Sequence, residues 1–91
     1  MKINVLGKFY KLIETDCPAC NDTYAGSTQR MKQTITVQKG ENLAPDQYDE
    51  TILHEVIHVV DEELKVGLTE ESVARLAVGL YSAGCRVKVE K

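Results

Sequence analysis

The chain has 91 residues, a net charge of −3, 43% apolar residues and 27% charged residues. This length predicts a single domain over residues 1–91 with a modest core, and the composition excludes wholesale disorder. No apolar run is long enough to span a membrane. Because no cluster of Lys and Arg stands out, we expect a protein or peptide partner rather than a nucleic acid.

The N-terminus begins with a strand-like pattern at Met1–Asn4 and lacks the apolar stretch of a signal peptide, which predicts a cytoplasmic protein. The three cysteines, Cys17, Cys20 and Cys85, are an odd number in a chain of this kind. We therefore do not expect a disulfide framework.

The first half of the chain favours short strands. Lys2–Val5 and Phe9–Ile13 are β-rich runs on either side of Gly7, which predicts an antiparallel hairpin. Thr23–Ser27 is a candidate short strand, and Gln33–Gln38 alternates polar and apolar residues as a half-buried strand does.

The second half favours helices. Asp46 is a reasonable N-cap for a helix over Gln47–Lys65, with Gly67 as its C-terminal cap, and Thr69 precedes the acidic start of a second helix. Arg86–Glu90 alternates charge and valine, which fits either an edge strand or a frayed tail. The second helix carries an apolar stripe that should pack on the first helix or on the sheet: Val73, Leu76, Ala77 and Leu80.

A His-Glu-x-x-His pattern lies in the first predicted helix. His54 and His58 are the only two histidines of the chain. One helical turn apart, they can bind one Zn²⁺ together, and Glu55 can act as general base on a water at the metal. The alternative is that these residues form the polar edge of an amphipathic helix. The surrounding apolar residues favour the metal site, because they predict a buried helix in which histidines need partners.

A catalytic zinc site usually has three protein ligands, so a third ligand must be found. Asp61 stands where the HExxHxxGxxH motif requires glycine, which excludes that version of the site. On a straight helix the Asp61 carboxylate is a turn too far from the metal, so we expect it to orient a ligand histidine instead. The third ligand could be a cysteine or one of five acidic residues: Asp61, Glu62, Glu63, Glu70 and Glu71.

Glu70 is the predicted third ligand. It lies along the apolar stripe of the second helix, whereas Glu71 points about 100° further round. The alternative is that both glutamates only stabilise the start of that helix. The Cys17-x-x-Cys20 pair is weaker evidence for a site, since no spacing supports a second half, and we interpret it as a loop with two incidental cysteines.

The region 54–81 resembles small phage-type zinc metallopeptidases, which are related to the ImmA/IrrE and SprT-like zincins. The resemblance covers most of the chain and is carried by five segments: Tyr24–Gly26, Gln33–Val37, Glu50–Asp61, Gly67–Ala77 and Gly79–Tyr81. The Cys17–Cys20 loop departs from this group as an insertion, and the chain has no further domain that would define a substrate.

The resemblance implies an α+β fold, a minimal zincin with a small antiparallel sheet packed on the HExxH helix and followed by a second helix. It implies His54, His58 and the Glu70/Glu71 pair as zinc ligands and Glu55 as the base. Some relatives of this kind cleave a transcriptional repressor, which suggests a regulator in a phage or mobile-element context as substrate.

Three functions remain open from the sequence. The leading one is a zinc-dependent endopeptidase. The main alternative is a catalytically silent module that keeps the zincin scaffold to bind a protein partner. A purely structural zinc site is less favoured, because such sites prefer four Cys or His ligands.

Overall fold

The fold was derived from a computed structural model that describes residues 1–15, 26–29, 33–38 and 44–91. The elements assigned in this part of the chain are four strands and two helices, in the order ββββαα. Their bounds are β1 Lys2–Val5, β2 Lys8–Thr15, β3 Gly26–Gln29, β4 Thr34–Gln38, α1 Pro45–Leu64 and α2 Glu70–Ser82. The structure is therefore α+β, as the coarse fold prediction states. The predicted Cys17–Cys20 loop and residues 23–25 of the predicted Thr23–Ser27 strand lie outside the described residues.

The predicted hairpin at the N-terminus is confirmed. Strands β1 and β2 pair antiparallel, with Ile3 opposite Tyr10. The turn between them has Leu6 and Gly7 in left-handed conformations, with φ of 54° and 83°, which suits the twist of a tight hairpin. The Asn4 side chain stabilises this turn by accepting a hydrogen bond from the Gly7 amide at 3.0 Å.

The sheet is mixed, so the expectation of an antiparallel sheet is wrong for one pair of strands. The strand order is β1-β2-β4-β3, with β2 and β4 parallel and β3 and β4 antiparallel. Strand β3 takes the outer position, and β4 lies between it and β2. The chain reverses direction from β2 to β3 and again from β3 to β4, so β4 runs parallel to β2.

One face of the sheet packs against α1 and forms the core. Tyr10 and Leu12 alternate with exposed residues along β2, as a half-buried strand requires. The core cluster contains side chains from three strands and from α1: Ile3, Val5, Tyr10, Leu12, Ile35, Val37, Ile52 and Val59. On the opposite face Phe9 and Ile13 are exposed, and the Lys2 ammonium lies 4.7 Å from the centre of the Phe9 ring.

Helix α1 is central, as predicted, but the expectation that it is largely buried is wrong, because only one strip of its surface faces the sheet: four of its 20 residues are buried, namely Ile52, Leu53, Glu55 and Val59. Its ends also differ from the prediction. It begins at Pro45, and its N-cap is Ala44, which makes no side-chain capping hydrogen bond. Asp46 is therefore in the first turn instead of at the cap, because the fixed φ of proline already suits the first helical position. The C-cap is Lys65, with φ of 53°, and Gly67 lies two residues beyond it in the linker.

Helix α2 begins where the sequence predicts. Thr69 is its N-cap, and the threonine hydroxyl accepts a hydrogen bond from the Ser72 amide at 3.1 Å. The predicted apolar stripe is too broad: Val73 and Ala77 are buried, whereas Leu76 and Leu80 are 42% and 39% exposed. The reason is that α2 packs chiefly on α1 and not on the sheet, so only a narrow strip of its surface is covered.

The C-terminal segment returns to the sheet. Glu90 forms an isolated antiparallel bridge with Lys2, with two backbone hydrogen bonds of 2.8 Å. Val87 and Val89 pack against the core. Arg86–Glu90 is thus neither a full strand nor a free tail. Neither α1 nor α2, the helices of the described residues, combines the length and the hydrophobicity that a membrane-spanning helix needs.

Candidate metal centre

Helix α1 places the two motif histidines side by side. His54 and His58 are one turn apart, and their Nε2 atoms are 3.2 Å from each other. The ring centroids are 4.9 Å apart, and the rings are tilted by 58°. The side chains are 21% and 24% exposed, so the pair lies at the surface with one open side.

Helix α2 brings a carboxylate to the same point. One oxygen of Glu70 lies 2.7 Å from Nε2 of His54, and the other lies 2.7 Å from Nε2 of His58. Glu70 is the first residue of α2, where the acidic side chain also suits the helix dipole. In the described part of the chain, these three residues are the group whose donor atoms lie close enough together to hold a metal ion.

The donor spacing can be compared with that of a tetrahedral zinc site. Two ligand atoms that are each about 2.0–2.2 Å from one tetrahedral ion are roughly 3.3–3.6 Å apart. The histidine nitrogens, at 3.2 Å, already have nearly this separation. The contacts of 2.7 Å between Glu70 and the histidines are hydrogen-bond lengths, so the carboxylate would have to withdraw by about half an ångström. Glu70 has room to do so, because its side chain is 62% exposed.

The donor set fits zinc. Two imidazole nitrogens and one carboxylate oxygen are a ligand combination that catalytic zinc sites use, and three protein ligands leave one coordination position open. The structure therefore brings His54, His58 and Glu70 together in an arrangement suited to a metal ion. Their role as ligands stays a prediction.

The other acidic candidates are engaged elsewhere. Glu71 forms an ion pair with Arg75 one turn further along α2, and both side chains are largely exposed. Glu63 contacts the Lys8 ammonium at 3.2 Å. Cys85 is exposed and is not part of the cluster, and Cys17 and Cys20 lie outside the described residues.

Asp61 does not have the predicted role of orienting a histidine. Its carboxylate oxygen Oδ1 accepts hydrogen bonds from the amides of Gly67 and Leu68, at 2.8 Å and 2.9 Å. These are groups of the linker between the helices. The carboxylate is directed toward the linker, where the chain turns back after the end of α1 and presents these two amides to it. The only local feature of the sequence that hints at this contact is Gly67, six residues after Asp61 and just past the end of the helix.

The proposed base lies in the interior. Glu55 is only 6% exposed, the one buried charged residue among those described. It lies in the same row of α1 as Ile52 and Val59, which face the sheet, about 100° round the helix from His54. Its side chain is engaged in at least one interaction. Glu55 is thus beside the histidine pair, on the side of the helix that faces the sheet.

A second contact between the helices lies at the other end of the helix pair. The Tyr81 hydroxyl donates a hydrogen bond to Asp46 at 2.9 Å, and the Arg86 guanidinium stacks 3.7 Å from the centre of the Tyr81 ring. Partial burial and this hydrogen bond raise the pKa of Tyr81. The helix pair is therefore held together at the C-terminal end of α2 as well as at its start, where Glu70 meets His54 and His58.

We compared the chain with protein-family models, curated proteins and solved structures, and none of them matches. The resemblance to zincins accordingly rests on the motif and its flanking segments. The case for a function rests on the geometry of the cluster itself.

Proposed function

We propose that this chain is a zinc-dependent endopeptidase that acts on a protein or peptide substrate. The observation that carries the proposal is the convergence of Glu70 from α2 on the Nε2 atoms of His54 and His58 from α1. The resemblance suggests a regulatory protein of a phage or another mobile element as the substrate.

His54, His58 and Glu70 would hold the ion. When bound, zinc would supply a Lewis acid that polarises the scissile carbonyl and lowers the pKa of water. The exposure of all three side chains supports a catalytic site rather than a closed structural one, since a substrate needs access to the open position.

Glu55 would move the proton. In this mechanism its carboxylate accepts a proton from the attacking water and later delivers it to the leaving amine. Burial supports this role, because a carboxylate that is only 6% exposed is held in place by its surroundings. It follows His54 directly in α1, and the mechanism requires its carboxylate to reach a water at the proposed ion from the side that faces the sheet.

The variant Glu55→Gln tests the proposal. Glutamine preserves the size of the side chain but cannot accept the proton, so we expect zinc binding and folding to persist and cleavage to be lost. Glu50→Gln is a matched control, because Glu50 lies one turn before His54 on the same helix and its side chain makes no hydrogen bond or ion pair with the residues described. Cleavage of fluorescein-labelled casein and of a quenched-fluorescence peptide library, with zinc added, provides the assay.

The expected result is cleavage by the wild-type and Glu50→Gln proteins and none by Glu55→Gln. Equal cleavage by the Glu55→Gln protein would contradict the proposed mechanism.

The second candidate, a silent binding module, is favoured by the exposed apolar residues of α2, where Leu76, Val78 and Leu80 are 42%, 50% and 39% exposed. A wild-type protein that binds zinc but cleaves neither substrate would support that candidate instead.

A further inference from the structure

The linker between α1 and α2 is organised by a single residue. Lys65 and Val66 donate their backbone N–H groups to the carbonyl oxygen of Asp61. The next two amides, those of Gly67 and Leu68, donate to the Asp61 side-chain oxygen Oδ1. Four consecutive amides, those of residues 65–68, thus donate to one aspartate, so these backbone donors are all paired.

The linker leads directly into Glu70. Leu68 is followed by Thr69, the N-cap of α2, and then by Glu70 itself. Because the Glu70 side chain is 62% exposed, packing around it does little to fix its position. The contacts with His54 and His58 hold the carboxylate, and the backbone that brings Glu70 within their reach follows the amides that Asp61 holds.

We propose that Asp61 is a positioning residue for the candidate metal ligand Glu70, an inference that rests on the proposed function. Asp61 acts by geometry, through Oδ1 and the two amides of Gly67 and Leu68, and not by its charge. Its Oδ2 atom makes no hydrogen bond to the residues described, so an amide nitrogen can replace Oδ2 without the loss of a contact.

Three variants separate geometry from charge. Asp61→Asn keeps an oxygen that can accept both amides but removes the charge. Asp61→Glu keeps the charge but displaces the oxygens by one methylene, and Asp61→Ala removes both. Tyr81→Phe is a matched control, because it removes a side-chain hydrogen bond between α1 and α2 that lies about 16 Å from Glu70 along α2 at 1.5 Å per residue.

Two readouts are needed. In metal-free protein, long-range ¹H–¹⁵N spectra of the imidazoles of His54 and His58 report whether Glu70 still contacts their Nε2 atoms. A competition titration with a chromophoric chelator gives the Kd for zinc. We expect Asp61→Ala and Asp61→Glu to shift the imidazole signals and to weaken zinc binding by about 10- to 100-fold, the usual cost of losing an outer contact at a metal site. Asp61→Asn and Tyr81→Phe should stay within about threefold of the wild type, since neither changes how a ligand is held.

The proposal is overturned if Asp61→Glu binds zinc and retains its imidazole signals as the wild type does, or if Asp61→Asn is impaired as much as Asp61→Glu. This comparison holds even if Asp61→Ala does not fold. The imidazole spectra need no zinc, so they test the positioning role alone. A wild-type protein that binds no zinc would instead contradict the proposed function.

Discussion

The Nε2 atoms of His54 and His58 face each other at 3.2 Å. Each of these nitrogens also lies 2.7 Å from a different oxygen of Glu70, so each ring can donate a hydrogen to the carboxylate. The Glu70 carboxylate, which is an acceptor when ionised, lies against both nitrogens. The cluster thus directs two imidazole nitrogens and one carboxylate at one point, an arrangement that could hold a metal ion when the Nε2 atoms carry no hydrogen.

Replacing Glu70 by glutamine should weaken zinc binding at least about tenfold, because the site loses an anionic ligand. Loss of a group that is only hydrogen-bonded to a metal ligand already weakens metal binding by about tenfold or more. Glu71→Gln is the matched control. It breaks only an exposed pair with Arg75, worth about 0.3–0.5 kcal/mol of stability, and should leave the zinc Kd unchanged. Chelator competition on both variants checks this, and a larger loss in Glu71→Gln would assign the third ligand to the wrong glutamate.

Much of this site could be predicted from local patterns. The spacing of His54 and His58 indicates one helix face, and the position of Glu70 relative to Val73 and Ala77 correctly turns it toward α1. The role of Asp61 could not be predicted, because it depends on where the linker folds back over the end of α1. Periodicity describes a helix but not the path of the chain after it ends.

Replacing Ile35 by alanine should lower the free energy of unfolding by about 2–5 kcal/mol, since Ile35 is fully buried in β4 between β2 and β3. Ile13→Ala is the control, because Ile13 is 39% exposed on the other face of the sheet and should cost much less. Urea unfolding of both variants, compared at equal m-values, provides the measurement. Similar losses in the two variants would mean that the assigned core face is wrong.

The strands themselves could be predicted from the sequence, but their order could not. Gly7 between two β-rich runs signals a hairpin, and the alternation in Gln33–Gln38 signals β4. Nothing local indicates that β4 pairs parallel with β2 along Lys11–Thr15. That pairing depends on β3 lying at the edge of the sheet, and the position of β3 depends on contacts between strands that are distant in the sequence.

The Tyr81–Asp46 contact should make stability depend on alkaline pH. The pKa of Tyr81 is raised above its ordinary value of 10.0 by partial burial and by the hydrogen bond to Asp46. A raised pKa means that the contribution is fully present below pH 10 and is lost as pH rises through the folded-state pKa. Chemical unfolding across pH 9–12 should therefore show a smaller alkaline loss of stability in Tyr81→Phe than in the wild type. Identical pH profiles would show that Tyr81 does not contribute in this way.

The most direct test of the metal site is a zinc titration of the metal-free wild type and of the double variant His54→Ala/His58→Ala. The double variant keeps all three cysteines, so it also controls for zinc bound by thiols. We predict about one zinc ion per chain for the wild type, with an increase in thermal stability, and loss of both effects in the double variant. Zinc binding of equal affinity and stoichiometry in the two proteins would contradict the assignment of the site to His54, His58 and Glu70.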